Sequence, residues 1–569
     1  MTVPNRRIQI VNGGNGVSAG STAEFRAKIG VASAGTVNGV SILTSPGDVA
    51  SVYGTGPLVN AASHDLENGG GAVACVRARA STAGSITAGA PTVSGAQACT
   101  LSGNPLDAYN IVIEILTAGA LGAAAFRYSL DAGPDDPLRE KCNWSKAIAV
   151  PAGGVYAIPG TGLTATFVGT FAKGDSFPFM TDAPSFTISD LNEALDALKA
   201  ASLTMADYPH WVHIVGEVTA AIAAAVDTKM SAFENAHMYT FAILEAADED
   251  AISAVTKSGS GPNVTLTGVP SGSMACVIKI TTGGALGTAK YQLSTDGGAT
   301  FSSDITTLAS GAQTLGTTGI SATFASGAWV ANDTYTFATW DKNIDAWKTA
   351  LTTAYANFAS DRVVVCAGFG EVALPSGKIV RGSIAWGLSA ILASTGISID
   401  AGQIQDAGNL PGFVSISHNE EASPGLDDAG FCTARTWLRI PGFYVNQPRI
   451  KSGTGSDYDL IQYRRVMDAA CRALDPVLAN NVNKKVFVDK TTGFILEADA
   501  RVYDRLFDQP VRDATVNKGH ASELIVRCKR DENILSTRRF AVQLSLIGVA
   551  YIKDLAATIG YMNPAAQPV

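Results

Sequence analysis

Any chemistry this chain performs must come from a short set of residues. Gly14-Asn-Gly-Val-Ser-Ala19 fits G-x-G-x-x-A, the glycine turn that lets a backbone approach a dinucleotide pyrophosphate. The same loop contains Gly16-Val-Ser-Ala-Gly20, a G-x-S-x-G nucleophile elbow. One glycine loop that fits two unrelated motifs argues for neither, and an elbow this early precedes most of the sheet it would need. The loop reads as a flexible linker behind a strand. Gly368-Phe-Gly-Glu-Val-Ala373 follows an apolar strand, but Pro375 and Gly377 forbid the helix a dinucleotide site requires, so it reads as a strand-to-loop turn. His210 and His213 are three apart on a strand, which puts them on opposite faces and makes a poor metal pair. Glu234-Asn-Ala-His237 is a lone E-x-x-H, whereas a di-iron bundle site needs two of them and two further Glu. Asp248, Glu249 and Asp250 read as a solvated acidic turn, and no Walker A sequence occurs. The alternating aromatics Phe167, Phe177, Phe179, Phe324, Tyr335 and Phe337 read as core. The expectation is therefore a protein that is not an enzyme and has no cofactor and no metal.

The elements that would position such residues follow from composition and periodicity. At 569 residues the chain exceeds a single core, and roughly three to five domains are expected. Charged residues are 16% and the formal charge is −9, which leaves no basic excess for nucleic acid. The eight Cys are scattered without CxxC or zinc-finger spacing and read as reduced thiols. Met1-Thr-Val-Pro-Asn-Arg-Arg7 lacks the apolar run of a signal peptide. The longest uncharged window, Gly382 to Ile399, is rich in Ser, Thr and Gly and reads as a buried helix, not a membrane span.

Arg7-Ile-Gln-Ile-Val11 reads as a strand, broken by Gly13, Gly14, Gly16 and Gly20. Gly30 to Val40 is expected to be strand, Ser45-Pro-Gly-Asp48 to open a helix, and Leu58, Ala62 and Leu66 to share a helix face that ends at Gly69. With a strand over Ala72 to Ala78 this makes a β-α-α-β module. Two all-β stretches, from about Ser81 to Thr187 and from about Lys257 to Trp340, carry five matching landmarks in order. Thr100 to Pro105 matches Thr265 to Pro270, and Gly119-Ala-Leu-Gly122 matches Gly284-Ala-Leu-Gly287. Tyr128 to Gly133 matches Leu293 to Gly298, Gly162 to Phe167 matches Gly319 to Phe324, and Asp175 to Phe179 matches Asp333 to Phe337. These read as a duplicated β-sandwich. Around them run helices from Ser189 and from Ala220 to Asn235, and strands at Trp211 to Val215, Met238 to Leu244 and Arg362 to Cys366. Later, Gly382 to Ala393 is helix-like, Ser456-Asp-Tyr-Asp459 fits a cap for a helix that Pro476 bends or ends, and Lys490 to Gly493 signals a hairpin. Glu523 to Lys529 alternates as a strand. The last strand starts at Phe540: Phe540, Val542, Leu544 and Leu546 share one face, and from Ile547 through Val549 and Tyr551 to Ile552 both faces turn apolar, although little chain remains to cover them.

The fold class is accordingly α/β (α+β) and multi-domain, an α/β core interrupted by two homologous all-β insertions. The divisions are 1–20 (arm and hinge), 21–80, 188–256 and 341–539 (core), 81–187 and 257–340 (insertions), and 540–569 (C-terminal strand and arm).

Lys28-Ile-Gly-Val-Ala32, Thr44-Ser-Pro-Gly-Asp48, Val52-Tyr-Gly54, Leu58 and Asn68-Gly-Gly-Gly71 leading to Val73-Ala-Cys-Val-Arg77 resemble the start of contractile phage tail sheath proteins. The resemblance extends over roughly 1–83 and 340–569; the two β stretches depart from it. It implies a virion tail subunit, made in the host bacterial cytoplasm, that stacks with itself in hexameric rings around an inner tube. Baseplate and tail terminator proteins would be partners, and nucleic acid and membrane would not. Arg7, Ile8, Gln9, Ile10 and Val11 would be an arm strand, Gly13 to Gly20 its hinge, and Phe540, Val542, Leu544, Leu546, Val549 and Tyr551 part of the sheet that exchanges strands with neighbours. The alternative is an adhesin whose duplicated β domains hold glycans.

Overall fold

The computed structural model describes residues 24–88, 91, 93–95, 97–131, 143–205, 207–248, 252, 255–268, 274–339 and 344–553. The chain forms two compact units, 1–461 and 462–569. Both helices and strands are present throughout, so the fold is mixed α+β with many small sheets.

The first unit opens with Arg26–Gly30 (β1), Val40–Leu43 (β2), Pro46–Tyr53 (α1), Pro57–Gly69 (α2) and Val73–Arg77 (β3). The strand expected over Gly30 to Val40 instead starts four residues earlier, and 31–39 is turn and loop. Charge obscured it, because Arg26 and Lys28 interrupt an apolar run yet are both buried. Ser45 caps α1 by accepting from the Asp48 N–H, as the sequence suggested.

Residues 81–187 hold Ile86–Ala88 (β4), Ala98–Gly103 (β5), Tyr109–Thr117 (β6), Ala125–Ser129 (β7), Ile148–Ala149 (β8), Val155–Ile158 (β9), Leu163–Val168 (β10) and Ser176–Thr181 (β11). Then come Ile188–Ser202 (α3), Trp211–Glu217 (β12), Ala220–Glu234 (α4) and Phe241–Glu245 (β13). The cap of α3 is Thr187, not Ser189: its hydroxyl accepts from the Asp190 N–H while the Asp190 carboxylate accepts from the Thr187 N–H. The second β stretch holds Thr256–Ser258 (β14), Val264–Gly268 (β15), Met274–Thr282 (β16), Lys290–Ser294 (β17), Ile305–Thr306 (β18), Ala312–Thr314 (β19), Ile320–Phe324 (β20) and Thr334–Thr339 (β21).

The two β stretches have the same topology. The first forms sheets in the orders β4-β11-β6-β7-β8 and β5-β10-β9; the second forms β14-β21-β16-β17-β18 and β15-β20-β19. In each, the two sheets close on one apolar cluster that includes the aromatics singled out above. Equivalent aspartates pin equivalent loops: Asp175 accepts from the Ala172 and Ser94 N–H groups, and Asp333 from the Gly261 N–H. In each the first strand pairs with the last, and backbone bridges Thr82 to Ser185 and Ile252 to Thr339 lie beside those pairs.

After the second β stretch come Ile344–Ala354 (α5), Val363–Cys366 (β22), Phe369–Ala373 (β23), Ile379–Ser383 (β24), Ile384–Ser394 (α6), Ala434–Trp437 (β25) and Ile440–Val445 (β26). The central sheet runs β2-β3-β1-β12-β13-β22, parallel except for β2. A parallel sheet needs cover on both faces. Leu191, Leu195 and Leu198 of α3, Val226, Met230 and Phe233 of α4 and Trp347 of α5 belong to the cluster on one face. Trp386, Leu388 and Ile391 of α6 belong to the other, with α2 beside it. Gly368 leads into a β23–β24 hairpin, so the dinucleotide pattern there lacks its helix.

The second unit contains Ile461–Asn481 (α7, whose first residue falls in the first unit), Glu497–Ala514 (α8), Ala521–Cys528 (β27), Ile534–Thr537 (α9) and Val542–Gly548 (β28). Ser456 does not cap α7; its hydroxyl donates to Asp361. Pro476 does not end α7, which continues to Asn481. The hairpin expected around Lys490 to Gly493 is reduced to one bridge, Val488 to Ile495. Among the described residues no helix is long and apolar enough to cross a membrane.

Candidate functional site

The terminal strand pairs antiparallel with β27, setting Leu524 against Leu546, Val526 against Leu544 and Cys528 against Val542. Alternation puts these side chains on one face. Leu524, Val526, Leu544 and Leu546 pack there with Ala470 and Leu474 of α7 and Val511 of α8. The opposite face is open: Ile525 is 40% exposed and Ile547 47%. Among the described residues no third strand joins β27 and β28. Each strand therefore has an outer edge with no strand partner, the geometry onto which another chain can add.

The ends of this strand differ from expectation. Phe540 precedes it, and its ring packs on Tyr503 and Phe507 of α8, at centroid distances of 5.1 and 6.4 Å. Val549 and Tyr551 follow it, with the Tyr551 ring 5.5 Å from that of Tyr463. Ile552 is 81% exposed, so the apolar second half is not buried deep within its own chain. Arg7, Ile8, Gln9, Ile10 and Val11, and the hinge glycines Gly13, Gly14, Gly16 and Gly20, lie outside the described residues.

Sequence reasoning missed a second feature, a chain of buried polar groups under the central sheet. Arg26 and Lys28 of β1 both reach Asp65 of α2; the Arg26 Nε–H donates to Oδ1 at 2.7 Å and the Lys28 ammonium lies 2.7 Å from Oδ2. Lys28 Nζ is also 2.7 Å from Nδ1 of His213, on the neighbouring β12. His213 Nε2 lies 2.9 Å from Oε1 of Glu245 on β13. The Trp386 indole donates to that same oxygen, and the Ser389 hydroxyl donates to Asp65 while accepting from the Trp211 indole. An ammonium can only donate, so Nδ1 of His213 accepts and Nε2 carries the hydrogen given to Glu245.

Two cations, two carboxylates and a neutral imidazole thus form a charge-balanced set. Burial would raise the Asp65 pKa, but Lys28 and Arg26 hold it well below the usual carboxylate range. Burial, then the Lys28 charge, pushes His213 below its ordinary value. The side chains of Arg26, Lys28, Asp65 and His213 have no solvent exposure, so the arrangement can fix strands and helices together but offers no substrate an entrance. Its one sequence signal was a pair of cations two apart in an otherwise apolar strand.

The other polar candidates do not converge. His210 is 3.6 Å from Glu24 and 3.4 Å from Asp207. Glu234 pairs with Arg362. Asp248 is not a solvated turn residue, because both its oxygens engage the Arg381 guanidinium, at 2.5 and 2.6 Å; Glu249 and Asp250 are outside the described residues. Among the described residues no three His, Cys, Asp or Glu are grouped to hold a metal ion.

Comparison with known families falls on both ends of this layout. Residues 4–261 match the model described as the DUF2586 N-terminal domain, and residues 457–566 match the DUF2586 C-terminal domain. The C-terminal DUF2586 match spans the open hairpin, and the N-terminal one spans β1 through β14. No curated protein matches the sequence. Similar solved structures are sheath tail proteins and sheaths of contractile injection systems. The sheath tail protein of Desulfitobacterium hafniense is 9% identical at a TM-score of 0.40, covering 96% of this chain and 100% of its own. The contracted helical sheath of the anti-feeding prophage is 10% identical at 0.45, covering 98% and 99%. The contracted PVC sheath of an extracellular contractile injection system is 9% identical at 0.42, covering 98% of each.

Proposed function

We propose that the chain is a structural, non-enzymatic subunit of a contractile tail sheath, with an α/β core and two inserted β domains, 81–187 and 257–340. The observation that carries this reading is the β27–β28 hairpin, a two-stranded sheet with one packed face and free edges. An isolated hairpin is marginal in water, and an added strand stabilises it by completing its main-chain hydrogen bonds. Arg7 to Val11 of a neighbouring copy supplies that strand, with Gly13 to Gly20 as the hinge. Copies linked in this way stack as six-fold rings on an inner tube, between a baseplate and a terminator, in a tail assembled in the host cytoplasm. Contraction is then a rotation of bodies held by strand pairs, driven by the greater burial of the contracted packing, and it uses no nucleotide.

The glycan-binding alternative has its best candidate in a groove of about 480 Å³ lined by Ile252, Lys257, Asn263, Leu266 and Tyr335. Two of its polar groups are already engaged: Lys257 donates to the Gly261 carbonyl and Tyr335 to that of Pro262. The sheath reading is tested by deleting residues 1–12. Folded particles that no longer polymerise are expected by negative-stain microscopy; long tubes from the truncated chain would refute the arm model.

A further inference from the structure

Charge is divided unevenly along the chain. Residues 462–569 carry 16 Lys and Arg and 12 Asp and Glu, a formal +4, while the remaining residues carry 25 against 38, a formal −13. The positive excess gathers at one end of the terminal hairpin. Between positions 527 and 539 stand Arg527, Lys529, Arg530, Arg538 and Arg539, against Asp531 and Glu532. Arg530 is committed to Glu497 and Asp504. The other four cations are exposed, and none forms an ion pair among the described residues. Arg527 and Lys529 extend the outer face of β27 beyond Ile525, the face opposite the packed Leu524 and Cys528. Arg538 and Arg539 end the α9 turn leading into β28, beside Leu535, which is 70% exposed.

Four unpaired cations with an exposed leucine among them form a surface that attracts an acidic protein face. Surface charges seldom stabilise the fold that bears them, since an exposed pair is screened by water and salt. Complementary charge across an interface instead sets orientation and speeds encounter. We infer that Arg527, Lys529, Arg538 and Arg539 form a docking patch for the acidic 1–461 unit of a second copy of this chain. The inference rests on the self-assembly reading above but uses a different contact. Strand addition joins main chains and depends little on salt, whereas this contact is ionic and is screened over about 10 Å at 0.1 M salt. The patch steers two copies into register before the strand adds.

Sedimentation of the purified full chain in 50 and 500 mM NaCl tests this. Self-association is expected to weaken at least about tenfold at the higher salt, to be lost in R538E/R539E, and to be reduced in R527Q/K529Q, with melting curves of both variants matching the parent. A variant lacking residues 1–20 separates the two contacts: it should fail to form tubes yet keep the salt-sensitive association, which R538E/R539E should again remove. Association of R538E/R539E equal to the parent at both salts overturns the patch while leaving the arm model standing. Equal self-association combined with loss of binding to a short DNA duplex would also overturn it, by making the patch a site for nucleic acid.

Discussion

Lys28 has the most to lose by substitution. Its ammonium is shared between Asp65 and His213, so Lys28→Met removes a donor from both and leaves Asp65 with Arg26 as its one cation and Ser389 as its neutral donor. Breaking a buried ion pair from one side costs about 3–5 kcal/mol. A drop of that size in unfolding free energy is expected from urea titration, and a change under about 1 kcal/mol would show that the network is dispensable. His64, one residue before Asp65, sets a pH dependence. Its Nε2–H donates to the Pro411 carbonyl at 2.8 Å, Nδ1 is buried without a partner, and burial lowers its pKa from 6.5 to about 4. Below pH 6.5 the unfolded chain takes up a proton that the folded chain refuses until about pH 4. Stability therefore falls as pH falls through that window, by about 1.4 kcal/mol per pH unit and about 3 kcal/mol in all. His64→Phe should flatten the urea midpoint against pH by one proton; an unchanged slope would assign the effect to other groups.

Among the elements, the terminal hairpin separates packing from assembly. Leu524→Ala empties the packed face and should cost unit 462–569 about 2–5 kcal/mol, read as faster hydrogen exchange along β27. Ile525→Ala with Ile547→Ala alters only the open face. That pair should leave exchange nearly unchanged and reduce tube formation; the reverse pattern would mean that the open face is the structural one. The alternation of Val542, Leu544 and Leu546 was visible in the sequence because one face is packed and the other is not. The same rule found α2, the inward face of α3 and β27. It missed α8, where only Ala500, Phe507 and Val511 are buried and Pro510 mimics a stop. It misplaced β1, because a charged strand buried on a polar network looks like no strand at all. The network itself was illegible: Lys28, Asp65, His213 and Glu245 are far apart in the chain; the parallel register of β1, β12 and β13 gathers Lys28, His213 and Glu245, and α2 brings Asp65 to them.

For the whole molecule, the internal duplication was the most legible feature, since five landmarks in order imply one topology, and the sixteen strands do repeat one order. Each β stretch closes on its own aromatic cluster. Residues 81–187 expressed alone are therefore expected to unfold in a single cooperative transition with dispersed amide resonances; a collapsed NMR spectrum would show that the core is needed to hold them. What no linear reading could supply was how these stretches join the rest. Because β4 lies against β11 and Thr82 bridges to Ser185, the chain departs and returns through one narrow doorway, and the pairing of β14 with β21 and of Ile252 with Thr339 repeats the arrangement. On the proposed reading of 81–187 and 257–340 as insertions, exchanging either for a foreign passenger whose ends lie equally near is expected to leave the parallel sheet in register. On that reading the two doorways are grafting points, at which a lineage, or an engineer, can dress the surface without rewriting the frame.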